Sequence, residues 1–223
     1  MIGWMILAAA VQAAAEPAKV EAVPSAPVAR VAKNVVTHPG DKVTVRVPSS
    51  ATYAGHERFN LYGVADAEIH VFVDADAAKK VQRLYWIQFE SYLPSNDHRY
   101  NYADGNTRHD VWGAVTWVSA GPRRTSETGR PGGDREAMMR ILARGGYTAP
   151  PEMQGVRLVQ ILDDPEGTGH GRKELMLIYA EDLAPTGKTY AELVANDELT
   201  PAWAPIEKPL TDRAIAAFTI ERL

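Results

Sequence analysis

Val81-Gln-Arg-Leu-Tyr-Trp-Ile-Gln-Phe-Glu-Ser-Tyr92 decides the fold. Side chains of an extended chain alternate between its two sides. Tyr85, Ile87 and Phe89 therefore share one face, and Leu84, Trp86, Gln88, Glu90 and Tyr92 the other. Large apolar residues on both faces require cover on both sides. The sheet that holds this strand must curve around a core, or one of its faces must line a pocket.

Working outward, the same period of two recurs. Residues 42–47 place Val43, Val45 and Val47 on one face before Pro48, and residues 59–62 form a short strand. Residues 68–74 place Ile69, Val71 and Val73 together, leaving His70 on the opposite, half-exposed side. Residues 111–118 read as one strand with Trp112 and Trp117 on opposite faces, and residues 156–162 and 174–179 as a hairpin. Helices come late. Asp134 caps a segment striped with Ala137, Met138, Ile141 and Leu142 and stopped by Gly145-Gly146. Thr189-Tyr-Ala-Glu192 is a capping box, and Thr211 caps a last helix that buries Ile215, Phe218 and Leu223. Consecutive strands followed by helices predict an α+β fold: a curved, mostly antiparallel sheet of about six to eight strands, with two or three helices packed on one face or end.

Before this domain, residues 1–15 carry no charged side chain and end in small residues ahead of Glu16. A short apolar core closed by Ala13-x-Ala15 reads as a cleavable export signal, although no Lys or Arg precedes it. The run is too short for a spanning helix, which needs about 20 apolar residues, so no stable membrane anchor is expected once the signal is cut. Residues 16–39, with prolines at 17, 24, 27 and 39, read as a Pro/Ala-rich spacer, and residues 40–223 as a single globular domain. The chain has no Cys, which excludes disulfides, thiolate catalysis, Cys-ligated metals and a processed lipid anchor on cysteine. A formal charge of −4 gives no general attraction to nucleic acid. A periplasmic or secreted, disulfide-free protein is expected, with the periplasm the better match.

Four stretches could carry function. On the central strand Trp86, Gln88, Glu90 and Tyr92, with Tyr100 and Tyr102 beyond it, mix aromatic and polar groups as the wall of a ligand pocket does. Shielded from water, Glu90 would have its charged form disfavoured. Residues 95–110 concentrate His98 and His109 among carboxylates, a donor set that suits zinc or iron. The same stretch contains Asp104-Gly105, a hairpin turn signal that would pair its two arms and set the histidines roughly level. Residues 167–173 are glycine-rich and basic, yet match neither phosphate-binding loop pattern and read as a hairpin tip. Arg123, Arg124, Arg130 and Arg135 occupy a Gly- and Pro-rich loop that reads as solvated. No acyl-enzyme serine motif is present. The reading favoured is an exported, non-catalytic binding module for a small amphipathic ligand or an envelope partner protein, with no cofactor. The alternative is an exported hydrolase or metal-dependent enzyme using His98, His109 and nearby carboxylates.

Overall fold

The computed structural model describes residues 22–126 and 131–223. The proposed export signal, residues 1–15, lies outside them, as does Arg130. The described chain forms strands β1 (Arg30–Ala32), β2 (Val35–His38), β3 (Val43–Arg46), β4 (Thr52–Leu61), β5 (Ala65–Ala75), β6 (Val81–Tyr92), β7 (Tyr100–Asn101), β8 (Thr107–Val111) and β9 (Ala114–Arg124). Helix α1 (Asp134–Arg144) separates these from β10 (Glu152–Ile161), β11 (His170–Gly171) and β12 (Lys173–Asp182). Then come α2 (Tyr190–Leu193), β13 (Val194–Ala195), β14 (Glu198–Leu199), α3 (Ala204–Ala216) and β15 (Thr219–Arg222).

The fold is α+β and mostly antiparallel. Seven strands form one open sheet in the order β4-β5-β6-β12-β10-β9-β8, and β1-β2-β3-β15 form a second, smaller one. The 81–92 strand lies near the middle of the large sheet, and each of its faces is packed. On one side Tyr85, Ile87 and Phe89 share a core with Val36, Val43 and Val45 of the small sheet and with Leu210, Ala214 and Phe218 from the last helix and its end. On the other, Leu84 and Trp86 pack in the core that holds Ala137, Ile141 and Leu142 of α1. The helices thus divide between the faces. Ile141 is fully buried there. We expect Ile141→Val to lower stability by about 1 kcal/mol in urea denaturation, the usual cost of one buried methyl.

Several sequence expectations need correction. Ala29 to His38, assigned to the spacer, belongs to the fold: β1 and β2 pair with each other, and β2 pairs with β3. The prolines that suggested a linker flank this segment, and its Val-rich core, with Val36 fully buried, fills the small sheet. Residues 111–118 are not one strand. Trp112 and Gly113 adopt φ of 53° and 73°, a two-residue reversal that closes the β8–β9 hairpin. Thr211 does not begin the last helix but lies buried within α3, which starts eight residues after Asn196, at Ala204, and carries Pro209 inside it. A proline costs a helix one backbone bond; burial of Leu210 and Ala214 offsets that loss. The chain end is a strand paired to β3, and Leu223 is exposed. Asp134 is the first residue of α1 and not its cap, a position held by Gly133. The Thr189–Glu192 box is present ahead of α2, the Glu192 carboxylate accepting the Thr189 N–H at 2.8 Å.

Candidate functional site

Strands β6, β12, β10 and β9 are neighbours, and their registers line up side chains in rows across one face. One row is Leu84, Ala180, Gly155 and Gly121; the next is Trp86, Ile178, Arg157 and Ser119. Two glycines, an alanine and a serine leave the sheet hollow beside α1, which packs over β4 and β5. A cavity of about 320 Å³ occupies that hollow. Met138 and Met139 from α1 line it from above, and Met153 and Met176 from the strands. Glycine inside a strand commonly marks a place where something else approaches the backbone. At Gly155 an added Cβ would come within 3.1 Å of the Tyr179 carbonyl, so this glycine also permits close strand contact. Gly121 has no such constraint: its added Cβ would meet only an Arg123 guanidinium nitrogen, at 3.5 Å.

The charges around the cavity are unbalanced. Among the described residues Arg123, Arg124, Arg135 and Arg157 reach its wall, against one carboxylate, Asp134. Burial pushes the Asp134 carboxyl upward, opposed by the Arg135 N–H and by Arg157.

Beside the cavity runs a buried acid network. The Trp86 indole N–H donates to Gln88 Oε1 at 3.0 Å, and Gln88 Nε2 donates to Glu90 Oε2 at 2.7 Å. The Tyr100 hydroxyl donates to Glu90 Oε1 at 2.6 Å. Directly across from Glu90, on β12, stands Glu174, 2% exposed. Tyr102 hydrogen-bonds Glu174, whose Oε2 has no partner. Burial, and then the negative charge of Glu90, push the Glu174 carboxyl up to about 8. Burial also raises Glu90, although hydrogen bonds from Tyr100 and Gln88 hold it back. Two carboxylates in one dry site cannot both ionise cheaply, so the pair retains a proton at neutral pH. The geometry suits Glu90 as acceptor and Glu174 as the protonated partner. Burial, and then Glu90, push the Tyr100 hydroxyl far above its ordinary range.

The six residues read as a pocket wall lie in or beside this network. Trp86, Gln88, Glu90 and Tyr100 form one hydrogen-bonded chain, and Tyr92 stacks on Tyr100 with ring centroids 4.4 Å apart. Tyr102 follows at 6.1 Å from Tyr100. Of the six, Trp86 alone lines the cavity. Glu174, Arg157, the methionines and the two glycines were not singled out. Both glycines lie just outside the strands read from the sequence, 111–118 and 156–162, and fall inside strands only in the structure.

The histidine site does not assemble. The arms flanking Asp104-Gly105 do not pair with each other: β7 pairs with β11 and β8 with β9. His98 packs its ring against Tyr92 at 5.7 Å, while His109 sits on β8 opposite Thr116. Among the described residues no group of three or more His, Asp or Glu could hold a metal ion. The glycine-rich loop is likewise occupied by its own chain. Asp163 Oδ1 accepts the N–H groups of Arg172 and Lys173, and Asp164 accepts that of Gly169. His70 is not half-exposed but fully buried, because the small sheet and the segment before β1 cover its face. Among the described residues no helix is long and apolar enough to cross a membrane. Comparison with protein-family models, with curated proteins and with solved structures returned no match.

Proposed function

We propose that this protein is a non-catalytic binding module that admits a small amphipathic ligand between α1 and the large sheet. The observation that carries the reading is the hollow itself: Gly121 and Gly155, side by side on β9 and β10, face a methionine-rich wall across a cavity of about 320 Å³. Ligand pockets of proteins run from roughly 300 to 1,000 Å³, mostly apolar with a few convergent polar groups. Methionine side chains are flexible and polarisable and adapt to guests of varied shape. An evolved core would ordinarily close such a space, since interiors pack to crystal-like density. On this reading the protein acts in the periplasm or outside the cell, an expectation resting on residues 1–15 alone.

Gly121→Val tests it. The added Cβ at the floor of the cavity meets only an Arg123 guanidinium nitrogen at 3.5 Å, an ordinary contact, and φ at Gly121 lies outside the left-handed region that demands glycine. A β-branched residue also favours an extended chain over glycine. We expect unchanged or higher thermal stability, and at least about a tenfold loss in affinity for anilinonaphthalene sulfonate, followed by its fluorescence. A variant that binds this probe as the parent does would remove the cavity as the binding site.

A further inference from the structure

We infer that the ligand of this cavity is an amphipathic anion, whose carboxylate-type head pairs with Arg157 while its tail lies along the methionine wall. The inference rests on the binding reading above and names its ligand class. Arg157 projects from β10 in the row that contains Trp86 and Ile178, so its guanidinium stands on the cavity face of the sheet. It is half-buried, and its partners are weak: Asn106 Oδ1 at 3.3 Å, and the face of the Tyr102 ring with the guanidinium 5.3 Å from its centroid.

A guanidinium carries five N–H donors in a planar fork, shaped for a carboxylate or a related oxyanion. Partial burial without an opposite charge is unfavourable unless something supplies that charge. The acidic groups that face Arg157 are Asp134 from α1 and Glu174 from β12. Neither forms an ion pair with it, and Glu174 retains a proton with Glu90. Arg123, Arg124 and Arg135 add positive charge at the same wall. Among the described residues an incoming anion therefore meets four arginines, of which Arg124 is paired with Glu152 at 4.0 Å, and one lining carboxylate. A cationic amphiphile would meet the reverse of what it needs.

The experiment uses three probes with one tail: dodecanoate, dodecanol and dodecyltrimethylammonium, titrated below their micelle-forming concentrations by calorimetry into the full-length protein. Dodecanoate should bind on the order of ten- to a hundredfold more tightly than dodecanol, the range expected for a charge-assisted pair. Arg157→Gln should collapse that ratio to near one through the loss of dodecanoate affinity. Arg157→Lys should restore part of it, as a point charge without the fork. If dodecanol or the quaternary ammonium binds as tightly as dodecanoate, and Gly121→Val abolishes that binding, the cavity reading stands and the anion inference falls. If none of the three binds the parent protein, both fall. The comparison among probes in the parent does not depend on how the variants fold.

Discussion

Glu174→Gln is expected to stabilise the protein by about 2–4 kcal/mol near pH 8 and to give no gain near pH 4, a crossover that chemical denaturation at the two pH values reads directly. The sign follows from linkage. Glu174 is held at about 8 in the folded chain, above the 4.5 of an ordinary glutamate. Between those values the folded state keeps a proton that the unfolded state has released, so stability falls as pH rises through that window. A pKa unit corresponds to about 1.4 kcal/mol, which places the full penalty on the order of 4–5 kcal/mol. Gln resembles the protonated acid and escapes the penalty, at the cost of burying an amide whose N–H groups lack acceptors beyond Tyr102. Glu90 stands directly opposite and contributes in the same sense, because burial raises it as well. The variant therefore also relieves repulsion within the pair. Equal stability of parent and variant near pH 8 would show that Glu174 is not held protonated.

The same pair shows what alternation reveals and what it hides. Glu90 was legible as a shielded acid because Trp86 and Tyr92 flank it on one strand face. Its neighbour Glu174 belongs to a segment some eighty residues later, and strand order is not written in local pattern. Nothing in the sequence pairs β6 with β12 rather than with β9. The cavity was hidden for a related reason. Gly121 and Gly155 are each unremarkable alone; they make a hollow only because the β9–β10 register sets them side by side. Local signals did better where the physics is local. The Ala137–Leu142 stripe gave α1, and Thr189-x-x-Glu192 gave α2. Local signals misled where tertiary packing outweighs propensity. Thr211 reads as a cap, yet it lies inside α3, which runs from Ala204 through Pro209 over a buried face. Asp104-Gly105 reads as a hairpin tip, yet Tyr100–Asn101 finds its partner in His170–Gly171.

Glu68→Ala should cost about 3–5 kcal/mol, the usual consequence of removing one member of a buried charged network. The Glu68 carboxylate, 3% exposed, accepts three donors: the Val28 N–H at 2.6 Å, the Ala29 N–H at 2.9 Å and the His70 ring at 2.8 Å. His70 in turn meets the Tyr53 hydroxyl at 3.1 Å through Nδ1. With Nε2–H donating to Glu68, Nδ1 is free to accept that hydroxyl, so one carboxylate sets the tautomer of a fully buried imidazole. Burial alone would raise the Glu68 carboxyl, but the hydrogen bonds from His70, Val28 and Ala29 outweigh it and hold the group below the ordinary glutamate range. Alanine would strand two backbone N–H groups and a ring nitrogen without acceptors, each an unmade bond in a dry site. Glu68→Gln keeps one acceptor oxygen but presents an NH₂ group to the remaining donors, so an intermediate loss is expected. The pH dependence runs opposite to that of Glu174. A lowered carboxyl contributes stability above the unfolded-state value near 4.5, and that contribution fades as pH falls through the lowered folded value. The difference between parent and Glu68→Ala should accordingly shrink in acid. Because Val28 and Ala29 lead into β1, their amides should lose protection from hydrogen exchange in the variant before the large sheet does. A variant within about 1 kcal/mol of the parent at neutral pH, with those two amides still protected, would mean that the β1–β2 pairing, and not Glu68, fastens this segment to the sheet.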